Sequence, residues 1–366
     1  MENRLKDILT IGLVTAFLLG LGCWGMIKPV DEISVSERRK LAKFPTMTKE
    51  AVADGSFMRA FESYSLDQFP LRERFRTLKS IVAYTVMEKK DNNDIYVEDG
   101  YAVQLEPKLD MESLAYAAKR FQFVYDLYLK ESDAKVYVSI IPDKNYFLAK
   151  EHEYPVMDYA KLTETMTASM DYAKYIDIMS ELELADYYKT DTHWRQEKIL
   201  KVAQKIADGM GTTLTLEYSV KELDAPFYGV YYGQSALPMK AEKLCYMEQP
   251  LFKDCRVFDY ETQKEGTIYD MERAYGLDAY EIFLSGPKSL LTIENPNATT
   301  DKELIVFRDS FGSSIAPYFA EGYQKITLVD IRYLSPQLLK QFVEFDEQDV
   351  LFLYSTSVLN HSNTIK

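Results

Sequence analysis

Short apolar runs rich in β-branched residues alternate with helical segments in the part of the chain after residue 134. Buried strands are predicted at four of these runs, residues 135–141, 304–307, 325–329 and 350–354. Helices are predicted at 315–322 and 336–342, after the second and third strands. Strands that alternate with helices are typical of a parallel α/β sheet with right-handed crossovers. We therefore predict an α/β core domain over residues 135–366, with a parallel sheet flanked by helices.

Two further regions surround this core. Between about 225 and 300, glycine and proline turn signals separate aromatic and β-branched runs, which predicts a β-rich insertion looped out of the core domain. Residues 29–134 begin with a polar stalk and continue with helical periodicity and a predicted hairpin near Gly100. We expect this N-terminal segment to pack on the core.

The N-terminus contains a long apolar segment without charged residues. Residues 8–27 form an uncharged apolar run, and twenty residues of helix span the hydrocarbon core of a bilayer. Arg4 and Lys6 precede the run and favour a cytoplasmic N-terminus. We predict a transmembrane anchor over residues 1–28, which makes the protein a single-pass protein of the cell membrane with its remaining residues outside. The alternative is a cleaved signal peptide, for which Gly20-Leu21-Gly22 offers a small-x-small site.

Composition narrows the class of function. The net charge of −14 and the pI of about 4.9 argue against nucleic-acid binding, which needs basic side chains for the phosphates. Three histidines and three cysteines show no metal-binding spacing, so we expect no metal. Cys245 and Cys255 can form a disulfide in an extracytoplasmic compartment, and the alternative is two free thiols.

One predicted strand is followed directly by charged residues and then by a serine. Strand 304–307 is followed by Arg308-Asp309-Ser310-Phe311-Gly312 and then by the predicted helix. A serine in this turn lies at the carboxyl edge of the sheet, where ligands of open α/β sheets bind. Backbone N–H groups of a helix start there favour an oxyanion. The alternative is that Asp309 or Ser310 only caps the helix, since both residue types are preferred caps.

A second stretch supplies the base that a serine nucleophile needs. In Asp191-Thr192-His193-Trp194, a carboxylate and an imidazole are one residue apart just before a helix. Such a carboxylate can accept from one ring nitrogen and leave the other free as a base. His152 lies in a charged surface run and His361 in a polar tail, so neither is a comparable candidate. The alternative is that Asp191 caps the helix and His193 is a first-turn residue.

Together these stretches resemble the DHHW family, cell-envelope relatives of the alginate O-acetyltransferases AlgJ and AlgX with SGNH-hydrolase-like folds. The resemblance covers nearly the whole chain after the anchor. It rests most specifically on Asp191-Thr192-His193-Trp194 and Asp309-Ser310-Phe311-Gly312, and further on Ser36-Glu37-Arg38-Arg39-Lys40-Leu41, Phe69-Pro70-Leu71-Arg72 and Phe227-Tyr228-Gly229-Val230-Tyr231-Tyr232. Thr192 stands where the family name implies a histidine. Arg308 stands where many SGNH enzymes have glycine, so their oxyanion hole is not transferable.

The resemblance implies an extracytoplasmic O-acetyltransferase of an exported or cell-wall polysaccharide. Ser310 would be the nucleophile, His193 the general base and Asp191 its orienting carboxylate, with the Ser310 N–H at the oxyanion. Lower-ranked candidates for oxyanion or sugar binding, with ordinary packing as their alternative, are Arg332, Tyr333, Tyr231, Tyr232 and Gln234.

No cofactor is expected, because the acetyl group would come from a partner, which family resemblance suggests is a membrane-bound O-acyltransferase. Two other functions use the same sequence features. A carbohydrate acetyl-esterase would have the same Ser–His–Asp set with water as the acceptor. A non-catalytic envelope protein would bind polysaccharide or act as a scaffold.

Overall fold

A computed structural model describes residues 2–215 and 217–366 of the chain. The chain forms two compact units. The N-terminal unit contains the residues up to Asn93 together with Tyr232–Pro238, and the sheet unit contains Asp94–Tyr231 and Met239–Lys366.

The strands of the chain range from two to nine residues. In chain order they are β1 Ile33–Ser34, β2 Arg39–Lys40, β3 Ile95–Glu98, β4 Tyr101–Gln104, β5 Lys135–Ile141, β6 Lys174–Tyr175, β7 Ser219–Phe227, β8 Glu242–Glu248, β9 Arg256–Asp259, β10 Lys264–Gly266, β11 Leu290–Glu294, β12 Glu303–Arg308, β13 Lys325–Val329 and β14 Asp349–Ser355.

The α-helices are mostly short outside the N-terminal unit. They are α1 Glu2–Ile27, α2 Lys49–Ala53, α3 Ser56–Asp67, α4 Arg72–Thr85, α5 Met111–Val124, α6 Asn145–Leu148, α7 Tyr159–Ser169, α8 Leu200–Gly209, α9 Val230–Ser235, α10 Pro250–Asp254, α11 Met271–Ala274, α12 Gly312–Ile315 and α13 Thr356–Asn360. Further 3₁₀ turns include Ala279–Ile282, Ala316–Glu321 and Pro336–Gln341.

In the N-terminal unit, α1 is long enough and apolar enough to cross a membrane over Arg4–Ile27, 24 residues, and it is the one such helix among the residues described. A signal sequence has the same composition and position.

An ion pair holds the segment after α1 to the end of α3. Arg39 donates from Nη1 to Asp67 Oδ2 at 2.8 Å and from Nη2 to Oδ1 at 2.5 Å, and the Ala42 N–H donates to Oδ2 at 2.8 Å. The hydrogen bond from Arg39, reinforced by the Ala42 N–H against the cost of burial, lowers the pKa of Asp67 to about 2. The carboxylate therefore favours the folded unit while it is charged.

Because the folded pKa lies below the unfolded value, this stabilisation is present above about pH 4 and is lost as the pH falls towards about 2. We expect Asp67→Asn to lose protection of residues 34–42 at neutral pH and to match wild type near the acid end of that window. Hydrogen–deuterium exchange of the two proteins, compared at each pH, measures this. Equal protection at neutral pH would contradict it.

The sheet unit is built on eight strands in the order β10-β9-β11-β13-β12-β14-β5-β6. The five from β13 to β6 are parallel neighbours, while β11, β9 and β10 continue the sheet antiparallel. The predicted α/β class is confirmed.

Alternation along the central strands fills one core on each face of the sheet. In β12, Leu304 and Val306 pack in one apolar cluster, and Ile305 and Phe307 pack in the other. All four side chains are buried, because helices and loops cover both faces. This two-sided burial explains why the strand is a continuous apolar run rather than an alternating one.

The 225–300 region differs from its prediction in one respect. Its strands β9, β10 and β11 pair into the main sheet, whereas the prediction looped the whole region out. In β11, Leu290, Leu291 and Ile293 are buried in the two cores, which favours pairing against β13. The pair β7–β8 does form a separate antiparallel ribbon.

Candidate active site

Four parallel strands end at one edge of the sheet, and their following turns carry the polar residues of the site. The chain leaves β12 at Arg308, β14 at Ser355, β5 at Ile141 and β13 at Val329. This carboxyl edge is where open α/β sheets bind ligands.

At this edge a hydroxyl, an imidazole and a carboxylate form a hydrogen-bonded chain. His193 Nε2 lies 2.8 Å from Ser310 Oγ, and His193 Nδ1 lies 2.6 Å from Asp191 Oδ1. Asp191 is fully buried and His193 is 9% exposed, while Ser310 is half-buried. The three side chains predicted from the two motifs are thus brought together. With Nδ1–H donated to the carboxylate, Nε2 is free to take the serine proton.

Both oxygens of the Asp191 carboxylate accept from N–H groups. Oδ1 accepts from the His193 ring and from the His193 backbone N–H at 3.1 Å, and Oδ2 accepts from the Val230 N–H at 2.8 Å. Thr190 holds the loop of residues 188–193, which carries Asp191 and His193 and is called the base loop below. The Thr190 hydroxyl accepts from the Gly229 N–H at 2.9 Å and donates to Glu242 at 2.7 Å. The carboxylate is therefore held in a single orientation.

Gly229 has to be a glycine for steric reasons, because a Cβ there would overlap the backbone of Asp191. We expect Gly229→Ala to displace the carboxylate and lower acyl-transfer activity by roughly 10²-fold, the usual cost of a misplacement of about 1 Å. The Gly266→Ala variant is a matched control, since a Cβ at Gly266 has open space. Esterase rates of the two variants measure the difference, and equal rates would contradict the steric assignment.

A stacked tyrosine covers the imidazole. The Tyr280 and His193 rings are 3.9 Å apart between centroids and 9° from parallel. Tyr280 donates its hydroxyl to Ser314 Oγ at 2.8 Å, and Trp194 Nε1 donates to the same oxygen at 2.8 Å. Ser314 in turn donates to the Phe311 carbonyl at 3.3 Å. One hydroxyl therefore joins the residue after the base loop, the stacked Tyr280 ring and the turn of residues 309–311 that carries Ser310, called the nucleophile turn below.

A buried lysine holds the start of the base loop. Lys144 is 2% exposed and donates from Nζ to the carbonyls of Tyr188 at 2.8 Å and Lys189 at 3.2 Å. The Tyr231 ring lies 5.1 Å from the same nitrogen. Burial lowers the pKa of Lys144 to about 7, although the Asp191 carboxylate opposes this shift.

The nucleophile turn is anchored by Asp309. Its carboxylate accepts from the Phe311 N–H at 3.0 Å and from the Ser355 N–H at 2.8 Å, so it ties the turn to the end of β14. Asp309 therefore fixes the turn but does not cap α12, whose N-cap residue is Phe311 and has no side-chain cap, while the Ser310 hydroxyl contacts His193. The helix that follows, α12, has only four residues. It then tightens into the 3₁₀ turn Ala316–Glu321, because Pro317 lacks the N–H that would continue the α-helical hydrogen bonding. So short a helix adds little dipole at Ser310.

Two of the lower-ranked candidates follow β13. Arg332 donates from Nε and Nη2 to Asp330 at 2.9 and 2.7 Å. Burial works against this charge, but the contact with Asp330 outweighs it and raises the pKa of Arg332. Tyr333 is 52% exposed. The guanidinium is therefore engaged within its own turn.

The three candidates from the 231–234 stretch are divided between the two units. Tyr231 is buried in the sheet unit and donates to Thr192 Oγ1 at 3.1 Å, beside the base loop. Tyr232 and Gln234 belong to the N-terminal unit, where the Gln234 carbonyl accepts from Asn93.

Of the two alternatives for the cysteines, the structure has free thiols. Cys245 and Cys255 are both buried and unbridged. Burial raises the pKa of each thiol to about 11, so both are protonated and unreactive at neutral pH. Among the residues described, no group of three or more His, Cys, Asp or Glu side chains is placed to hold a metal ion.

Sequence reasoning missed Tyr280, Lys144 and the steric role of Gly229. Lys144 carried one usable signal, a charge in the turn directly after the buried strand β5. Tyr280 carried none, because nothing in the 225–300 region indicates which aromatic residue meets His193.

The fold belongs to the SGNH-hydrolase-like α/β class that the sequence predicted. A DHHW family protein from Eubacterium siraeum DSM 15702 has a similar structure, with a TM-score of 0.61 and 19% identity over 75% of this chain and 94% of that one. Bacillus cereus PatB1 gives a TM-score of 0.59 and 19% identity over 74% of this chain and 98% of that one, and its structure with a sulfonyl adduct gives 0.57. No protein-family model and no curated protein sequence matches the chain.

Proposed function

We propose that this protein is an O-acetyltransferase that works through an acetyl–serine intermediate on Ser310. The observation that carries the proposal is the hydrogen-bonded chain from Ser310 Oγ through His193 to a fully buried Asp191. Serine is a weak nucleophile without such a base. The fold shared with a DHHW family protein and PatB1 supports an acetyltransferase of this general kind.

The chemistry follows from these positions. Ser310 Oγ attacks the acetyl carbonyl while its proton passes to His193 Nε2, and the same proton then leaves with the departing alkoxide. An acceptor hydroxyl next attacks the acetyl–Ser310 ester and gives its proton to Nε2. As the ester C–O bond to Ser310 breaks, Nε2 returns that proton to Ser310 Oγ. The charged Asp191 stabilises the imidazolium in both halves. The Ser310 N–H is the proposed oxyanion donor, and one such donor is typically worth about 10²–10³ in rate.

We further propose that the acceptor is an exported or cell-wall polysaccharide, and that Arg4–Ile27 stays as an anchor with the sheet unit outside the membrane. The length and apolar character of this helix support the anchor. A membrane-bound O-acyltransferase is the proposed source of the acetyl group. N-terminal sequencing of the mature protein tests the anchor, since cleavage after Gly22 would contradict it.

Acceptor-dependent turnover separates the transferase from an esterase with the same triad. The full-length protein in detergent is given a chromogenic acetyl ester with and without a wall oligosaccharide. We expect acetylated oligosaccharide to exceed free acetate. Acetate alone, at the same rate in both conditions, would favour the esterase, and no turnover together with no serine labelling would favour a non-catalytic envelope protein.

A further inference from the structure

We infer that Lys144 and Tyr280 are positioning residues that tune the basicity of the Asp191–His193 pair in opposite directions. This inference rests on the proposed function, because it concerns the base that activates Ser310. Neither residue was a candidate from its sequence context, and both are defined by their contacts in the structure.

Tyr280 presents a ring face to the imidazole at 3.9 Å, nearly parallel. An aromatic face attracts a cation, so this stack favours the imidazolium that forms when Ser310 gives up its proton. Burial raises the pKa of Tyr280 well above its ordinary value, so the phenol stays neutral and contributes its ring rather than a charge. Its hydroxyl is held by Ser314, which fixes the ring over His193.

Lys144 acts on the same pair in the opposite direction, because its side chain is positively charged when protonated. Below its pKa of about 7 the side chain is a buried ammonium, which donates to two carbonyls of the base loop and interacts with the Asp191 carboxylate. A cation close to Asp191 weakens the attraction of that carboxylate for a proton on the imidazole. Lys144 therefore disfavours the imidazolium while it holds the loop in place.

Other titratable and charged groups also lie on the elements packed around the Asp191–His193 pair. The groups around the pair, taken element by element, are Asp191 itself, Tyr188 in the base loop, Asp278 beside Tyr280, Asp309 in the nucleophile turn, Tyr231, Glu242 and Asp143. All of these are acids or phenols. The other cations on these elements are engaged elsewhere: Arg195 pairs with Glu197, Arg332 pairs with Asp330, Arg308 donates to the Asp309 carbonyl, and the Lys189 ammonium lies over the Tyr101 ring. Lys144, in contrast, interacts with the Asp191 carboxylate.

The test is the pH dependence of serine labelling by a fluorophosphonate in the full-length protein in detergent. Ser310 Oγ bonds to phosphorus, fluoride leaves and the hydroxyl proton passes to His193, so labelling needs an unprotonated imidazole. Its rate should rise with pH, with a midpoint set by the base.

We expect Lys144→Gln, which keeps a donor for the loop carbonyls without the charge, to move the midpoint up by roughly 0.5 to 1 pH unit. Tyr280→Leu should move it down by roughly 0.5 pH unit, because the ring face is lost. Tyr280→Phe keeps the face and should leave the midpoint in place. Thermal unfolding checks that each variant folds. If the variant at one position does not fold, the midpoint of the variant at the other position tests the inference.

Two results would overturn the inference. Slower labelling with unmoved midpoints would show that both residues have only a structural role, with the proposed function intact. Labelling absent from wild type at every pH would contradict the proposed function and the inference with it.

Discussion

Replacing Ser310 with alanine is expected to lower acetyl-ester turnover by roughly 10⁵–10⁶-fold, the loss seen when a serine nucleophile is removed from a triad. The hydroxyl contacts His193 Nε2 at 2.8 Å. Without it the base has no proton to take, and no acyl-enzyme forms. Turnover of a chromogenic acetyl ester by the two proteins measures the loss.

A neighbouring serine provides the control. Ser313 is buried in α12, three residues after Ser310, so Ser313→Ala removes a nearby hydroxyl without touching the triad. We expect it to retain activity within a few-fold of wild type. Turnover of Ser310→Ala at more than a tenth of the wild-type rate would remove Ser310 from the mechanism.

Exchanging Asp191 for asparagine is expected to lower the same rate by roughly 10⁴-fold with little change in fold. Both carboxylate oxygens accept from N–H groups, Oδ1 from the His193 ring and Oδ2 from the Val230 backbone. An asparagine must place its NH₂ against one of these donors. It therefore either loses the Val230 contact or forces the imidazole into the tautomer that cannot take the Ser310 proton.

The adjacent position separates this electrostatic effect from a general disturbance of the loop. Thr192→Val keeps the β-branched shape and removes only the hydroxyl that accepts from Tyr231. We expect this variant to lose little activity. Asparagine at 191 within about tenfold of wild type would show that the carboxylate is not the partner of a catalytic imidazole.

The central sheet could be predicted because its strands are continuous apolar runs bounded by charge. Strand β12 is an example, with Leu304 to Phe307 buried on both faces and Arg308 at the carboxyl edge. The antiparallel extension was not predictable in the same way. Strand β11 has an equally apolar pattern, but its place beside β13 depends on pairing with residues distant in the chain.

Proline positions, which the hydrophobic periodicity does not take into account, decide whether two predicted helices are α-helices or 3₁₀ turns. The predicted helix at 315–322 is a 3₁₀ turn after Ile315, because Pro317 interrupts the α-helical hydrogen bonding, and the predicted helix at 336–342 is a 3₁₀ turn that begins at Pro336. The apolar side chains are buried as the pattern requires, although the backbone is tighter than an α-helix.

Part of the candidate site could likewise be predicted from the sequence, and part could not. Asp191, His193 and Ser310 could be proposed from residue chemistry, since a serine at a sheet edge needs a base and His193 follows Asp191 by two residues just before a predicted helix. Their meeting across 117 positions was a spatial hypothesis, and the structure places the atoms within hydrogen-bond distance. Of the two residues that contact the base loop and its imidazole, Tyr280 follows only from tertiary packing, whereas Lys144 carried one sequence signal, its charge in the turn after β5.

The most direct test of this mechanism is the mass of the Ser310 peptide after a rapid acid quench of the wild-type protein with an activated acetyl ester. A Ser–His–Asp acyl-enzyme predicts a peptide heavier by one acetyl group, formed before product and discharged by an acceptor hydroxyl. Product that accumulates while the Ser310 peptide stays unmodified, or an acetyl group found instead on another residue, would contradict it.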